Sequence, residues 1–196
     1  MRNRIRLLGS ESGFTLVETI SVMLIMGFLL ASAAVGLSVF IGKFREITRW
    51  VELQDEAFQA LQTIKLGIDV GDAMNQAYFG VSGARFLELQ SSGYTGGRKL
   101  ICRMPSEDAG HANDRVEFFY DGTVIKAYVV WGPTSSTRVI FPNVKLQEHI
   151  KIEKFNIVEK NLGGELKAVT VELSARVQTS KDRTRRVDYS TVMAIR

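Results

Sequence analysis

From Thr19 to Gly42 the chain carries no Asp, Glu, Lys or Arg, an uncharged run of 24 residues. At ~1.5 Å per residue this makes about 36 Å of helix, enough to cover a ~30 Å hydrocarbon core. The run is longer than a ~7 to 15 residue secretory core, and no A-x-A site follows it. It shows no polar face either, which sets it apart from the core helix of a soluble protein. After Lys43 the apolar positions fall at three- and four-residue steps, Phe44, Ile47, Val51, Phe58, Leu61, Ile64 and Ile68, among Arg45, Glu46, Glu52, Asp55 and Glu56. That period predicts an amphipathic continuation. The expectation is one helix from Phe14 to Leu66, ended by Gly67 and Gly71, with its apolar stripe serving as domain core.

Beyond Gly83 the pattern changes to short alternating runs. Arg115 to Tyr120 and Thr123 to Trp131 predict a β-hairpin about Asp121-Gly122, a pair suited to a tight type I′ turn. Val169, Val171, Leu173, Ala175 and Val177 alternate with polar residues, and Val187, Tyr189, Thr191, Met193 and Ile195 repeat the period. Lys167 to Gln178 and Arg186 to Ile195 are therefore expected to pair antiparallel across a loop Thr179 to Arg185. A strand at Ile150 to Val158 joins them through Asn161-Leu162-Gly163-Gly164. Loops are expected at Gly67 to Gly83, Ser91 to Gly97, Pro105 to Asn113 and Pro133 to Thr137. The fold class is then α+β, a long N-terminal helix packed on antiparallel sheet. The divisions are a leader 1–13, an apolar helix 14–42, its amphipathic half 43–70 and a globular domain 71–196.

Composition adds two exclusions. With Cys102 as the single cysteine there is no internal disulfide, so folding rests on packing. The formal net charge of +4 contains Arg2, Arg4, Arg6 and Glu11, and without them it is +2, which gives little reason to invoke nucleic acid. Basic residues do not decide orientation, because Arg2, Arg4 and Arg6 before the apolar run are matched by Lys43, Arg45 and Arg49 after it. Glu18 stands out at the membrane end of the run. A carboxylate inserted there costs roughly 2.5 to 3.5 kcal/mol, so it is expected to have a partner or a role.

The segment Gly13-Phe14-Thr15-Leu16-Val17-Glu18, behind a short basic leader and ahead of the apolar helix, resembles the N-terminus of type IV pilins and of the pseudopilins of type II secretion. The resemblance implies cleavage of the Gly13–Phe14 bond by a membrane-embedded prepilin peptidase on the cytoplasmic side, and methylation of the new amine on Phe14. It further implies that Glu18 pairs with the N-terminal amine of a neighbouring subunit during filament assembly. Glycine at the cut site suits an extended or turned backbone in a narrow cleft, and loss of the leader removes three arginines that would resist extraction from the membrane. The expected partners are the peptidase, other pilin or pseudopilin subunits, an inner-membrane assembly platform and membrane lipid. The expected location is the bacterial inner membrane, single-pass, with the C-terminal domain periplasmic and incorporated into a pseudopilus or surface pilus. Val35 stands where many major pilins have a helix-kinking Pro, and the C-terminal Cys pair of many major pilins is missing. The ending Arg186 to Arg196 is similar to the last strand of some minor pilins and pseudopilins. The implied role is structural, a minor subunit at filament initiation or tip.

The alternatives are a tip adhesin or DNA-uptake subunit, and a permanently anchored envelope enzyme or sensor. Lys181, Arg183, Arg185 and Arg186 form a basic loop that could meet phosphates, yet four cations without interleaved aromatics read more readily as a solvated turn. His111 and His149 have no Cys or His at ligand spacing and read as surface residues. No H-E-x-x-H, G-x-S-x-G or phosphate loop occurs, so no enzyme, metal or cofactor is expected. Ser106-Glu107-Asp108 with Asn113-Asp114 offers oxygens for Ca²⁺ but lacks EF-hand spacing, and is read as a solvated loop.

Overall fold

The computed structural model describes residues 14–70, 77–93, 97–105, 111–143, 147–162, 165–180 and 183–195. The chain divides into two compact units, Met1–Arg45 and Glu46–Arg196. One hydrogen-bonded helix, α1 (Leu16–Leu66), contributes to both and runs unbroken through Val35.

In the first unit α1 is long and apolar enough to cross a membrane. Its large side chains are exposed from Phe14 to Ile41, and Phe40 stacks on Phe44 with ring centroids 6.4 Å apart. A helix with no polar face cannot hide its surface by turning, so this stretch has to be covered by lipid or by other chains.

The second unit is α+β. Its part of α1 buries Glu46, Leu53, Ala57, Ala60, Leu61 and Ile64. This corrects the expected stripe, because Phe44, Ile47, Val51 and Phe58 are exposed while Leu61, Ile64 and Ile68 are buried. At 3.6 residues per turn the two sets lie about 120° apart round the helix. The buried side is the one bearing Ala57 and Ala60, whose small side chains let the sheets approach closely, and the aromatic side faces outward.

Helix α1 ends where its glycine signal predicts. The Gly67 N–H donates to the Thr63 carbonyl at 2.9 Å, and Gly67 takes φ +111. The stretch expected to be loop beyond it contains a short ribbon, β1 (Ile68–Asp69) against β2 (Tyr78–Phe79), and a 3-10 turn at Val81–Gly83; Gly71 lies outside the described residues.

Two antiparallel meanders complete the unit. The first orders β3 (Phe86–Ser91), β4 (Arg98–Arg103), β5 (Arg115–Tyr120), β6 (Ile125–Trp131) and β7 (Thr134–Phe141) side by side. The second orders β8 (Ile150–Leu162), β9 (Glu165–Ser180) and β10 (Arg183–Ala194), with β9 in the centre. Leu100, Phe118, Ala127 and Phe141 from the first, and Ile157, Val171, Leu173 and Met193 from the second, close one core with Leu53 and Ile64 of α1.

The predicted hairpin β5–β6 is present, but its connection has four residues, Asp121 to Val124, because Tyr120 pairs with Ile125. The Asp121 carboxylate accepts the N–H groups of Thr123 and Val124 at 2.9 Å each, and Gly122 takes φ +100. A side chain that ties off two backbone donors stabilises the wider turn. Pro133 to Thr137, expected as loop, instead holds a two-residue turn, Gly132-Pro133, after which β7 begins at Thr134. The expected pairing of the last strands holds, with longer strands: β9 reaches Ser180 and β10 begins at Arg183, so the predicted loop shortens. Gly163 and Gly164 lie outside the described residues.

Candidate functional site

The start of α1 is built from a sequence signal of its own. Thr15 precedes the first helical residue and Glu18 is the third within it, the spacing of a capping box. Glu18 Oε2 accepts both the Thr15 N–H and the Thr15 hydroxyl at 2.9 Å, and the Glu18 N–H donates back to Thr15 Oγ1 at 3.3 Å. The hydroxyls of Thr19 and Ser21 bond to the carbonyls four residues earlier, at 3.2 and 2.8 Å. These contacts supply partners for polar groups that hydrocarbon cannot solvate. Glu18 therefore has a partner inside its own chain, a result legible in Thr15-Leu16-Val17-Glu18 and missed when the acid was considered alone. Both bonds from Thr15 fall on Oε2, and neither falls on Oε1. Phe14 is 81% exposed, and Gly13 lies outside the described residues.

The basic loop is reorganised by the fold. Lys181 lies outside the described residues. Arg185 bonds to the buried carboxylate of Glu46 at 3.3 Å, and Arg183 sits 3.9 Å from its other oxygen. Arg186 contacts Asp188 at 2.7 Å and Glu153 at 3.5 Å, and the hydrogen bond and charge of Asp188 hold the Arg186 guanidinium above its ordinary pKa. Glu46 on α1 and Arg185 on β10 are 139 residues apart in sequence, so nothing local could announce the pair. Arg183, Arg185 and Arg186 all have carboxylate partners, which lowers their availability to phosphate.

His111 departs from the surface reading. Its ring lies 4.5 Å from that of Trp131, centroid to centroid, and its Nδ1 is 2.9 Å from Asp114 Oδ2. Asp114 is buried, and its Oδ1 accepts the Gly132 N–H at 2.8 Å. The histidine is drawn in because a carboxylate three residues later, tied to the β6–β7 turn, needs a second donor. The same bonds occupy both oxygens of Asp114, leaving it poorly placed as a Ca²⁺ ligand; Ser106, Glu107 and Asp108 lie outside the described residues. His149 is exposed and lines a cleft of about 560 Å³ with Tyr120, Lys151, Arg176 and Gln178. Among the described residues no three His, Cys, Asp or Glu side chains converge as a metal site. Cys102 is buried in the core, and burial pushes its thiol well above its ordinary pKa.

A third buried carboxylate lies on the face of the five-stranded sheet turned away from α1. Glu117 on β5 is nearly buried, with Lys99 Nζ at 2.8 Å from one oxygen and Arg115 Nε at 2.8 Å from the other. Burial works to raise its pKa, and the hydrogen bonds and charges of Arg115 and Lys99 overcome it, so Glu117 stays below the ordinary carboxylate value. A carboxylate with a depressed folded pKa contributes stability above its unfolded pKa, and that contribution is lost as pH falls through the folded pKa. Asp121, which burial likewise raises and Lys126 and two N–H groups pull down, has the same sign. Thermal unfolding followed from pH 7 to pH 3 is expected to show a falling midpoint once pH drops below about 4.5. Glu117→Gln is expected to lower the midpoint at pH 7 and to flatten this acid limb; an unchanged limb would remove Glu117 from the acid response.

Comparison with protein-family models, with curated proteins and with solved structures finds no match to this chain.

Proposed function

We propose that this chain is a minor subunit of a type IV pilin-like filament, in a type IV pilus or a type II secretion pseudopilus, acting at filament initiation or at the tip. The observation that carries the reading is the junction at the start of α1. A basic leader ends in Gly13, and after Phe14 and Thr15 an exposed apolar helix begins with Glu18 in its first turn and no other charge before Lys43. In this reading a prepilin peptidase cuts the Gly13–Phe14 bond, and Phe14 becomes the methylated N-terminus. The helix then moves from lipid into contact with the helices of other subunits above an inner-membrane platform. Glu18, four residues from the new amine, meets the amine of a neighbour, and its Oε1 is the oxygen that Thr15 leaves available.

The exposed apolar surface of α1 supports both stages, because a surface that lipid covers in the membrane is one that packed helices cover in a filament. The ion pairs of Arg183, Arg185 and Arg186 weigh against the DNA-uptake alternative. The test is the N-terminus of protein recovered from membranes that contain the peptidase. The expected chain begins at N-methylated Phe14. A functional chain still beginning at Met1 would return the protein to the class of permanently anchored envelope proteins.

A further inference from the structure

The outward face of the five-stranded sheet is built from side chains that alternate with the core positions Leu100, Cys102, Val116, Phe118, Ala127 and Val129. On it, Glu117 stands directly beside Tyr128 of β6 and Ile101 of β4 across the sheet. Lys99, Glu117, Phe119 and Tyr128, with Ser91, Ser92 and Gly93, line an open hollow of about 250 Å³. Drug-sized ligands fill roughly 300 to 1,000 Å³, so this hollow suits a single ring.

We propose that this hollow binds one neutral hexopyranose unit, held between Phe119 and Tyr128 above the Lys99–Glu117 ion pair. The two aromatic side chains are half-buried, and neither makes a ring–ring contact among the described residues. The Tyr128 hydroxyl has no hydrogen-bond partner among them. Half-buried aromatic rings without ring partners offer flat apolar faces, which suit the C–H face of a sugar. The Lys99–Glu117 ion pair in the same hollow sets an ammonium donor and a carboxylate acceptor 2.8 Å apart. Adjacent sugar hydroxyls both donate and accept, so a vicinal pair can address the two groups together, in charge-assisted hydrogen bonds.

The charges on this face argue for a neutral ligand. Lys99 and Arg115 are paired with Glu117, Arg103 with Glu88 and Lys126 with Asp121. A nucleic acid would have to break such pairs to reach a cation, and the carboxylates that remained would repel its phosphates. A metal cation is opposed too, because both oxygens of Glu117 are held by cations. A polyhydroxyl ring needs neither pair broken.

The inference is independent of filament assembly. Processing is read from the mature N-terminus, whereas sugar binding is read from this face, and either can fail alone. The experiment uses the full chain in phosphocholine micelles, free of sugar-based detergent, with saturation-transfer NMR to glucose, galactose, mannose and N-acetylglucosamine in turn. Transfer to the ring protons of at least one sugar is expected at roughly millimolar affinity, the range for a small, solvent-open site. Tyr128→Ala and Phe119→Ala should each weaken it by about tenfold or more, while Tyr128→Phe retains the ring and keeps most of the binding. Matching amide spectra for the variants would show that the fold is intact. No transfer to any of the four sugars overturns the proposal, as does binding indifferent to both alanine variants. Oligothymidylate that binds this face and is lost with Tyr128→Ala would overturn it in favour of nucleic acid.

Discussion

Gly67→Ala is expected to lower the stability of the folded unit by about 3 kcal/mol or more, from two costs that add. Gly67 takes φ +111, a region that L side chains rarely adopt. A Cβ there would also lie 2.5 Å from the Phe79 carbonyl carbon and 2.6 Å from the Phe79 nitrogen. The obstacle is backbone, so no rotamer change relieves it. Gly80 separates the two costs, since its φ of −155 is ordinary extended backbone, yet its Cβ would lie 2.4 Å from the Gly67 nitrogen. Gly80→Ala therefore tests the close approach alone, with an expected loss of about 1 to 3 kcal/mol. For a domain of this size each kcal/mol moves the midpoint by roughly 2 to 4 °C. Thermal unfolding of the detergent-solubilised chain should then rank wild type above Gly80→Ala and Gly80→Ala above Gly67→Ala. A Gly80→Ala midpoint equal to wild type would mean that the two chain segments are not in tight contact.

This glycine pair also marks how far the sequence reaches. Gly67 was legible as a helix end because glycine is the residue that ends helices cheaply. Its contact with Gly80 was not, because the need for a second glycine arises only when β2 folds back over the end of α1. The same division recurs across the fold. Val169 to Val177 alternates cleanly because β9 is central, with apolar side chains on its core side and polar ones on the other, and its pairing with β8 and β10 could be read directly. Leu100-Ile101-Cys102 in β4 does not alternate, since Ile101 is buried on the outward face as well, beside Glu88 and Glu117. Thr134 to Thr137 of β7 lies at the sheet edge with exposed side chains, so it carries no apolar signal. In α1 the large exposed aromatics outweighed Ala57 and Ala60 in the apolar pattern, although the alanines face the core.

For the candidate sites, local sequence was informative where partners are close in the chain and silent where they are distant. The Thr15–Glu18 box is a four-residue pattern and His111–Asp114 another, and both could have been found by spacing. The partners that take up Arg185 and Lys99 come from elements distant in sequence, Glu46 and Glu117. No count of cations in a loop distinguishes an arginine free for phosphate from one committed to a buried carboxylate. The fold supplies that distinction for Arg185, which ties β10 to α1 through Glu46.

Replacing Glu18 by Gln is expected to leave processing at Gly13 intact and to reduce incorporation into filaments by well over tenfold. Two roles for this acid have to be separated. As a capping residue Glu18 is worth about 1 kcal/mol, and Gln fills that role nearly as well because its side-chain oxygen can accept the Thr15 N–H. As the partner of a neighbour's amine in a low-dielectric bundle, the carboxylate is irreplaceable, because removing one charge strands the other at a cost of about 3 to 5 kcal/mol. Glu18→Gln removes only the second role and Glu18→Ala removes both. If the ion pair governs assembly, the two variants should fail alike, since ~1 kcal/mol of capping is small beside the stranded amine. If capping governs, Gln should assemble normally and only Ala should fail. Quantifying each variant in sheared filaments against its membrane pool, alongside the mass of its processed N-terminus, reads both steps. Normal assembly of Glu18→Gln would leave Glu18 as a helix cap and take the charge out of the mechanism.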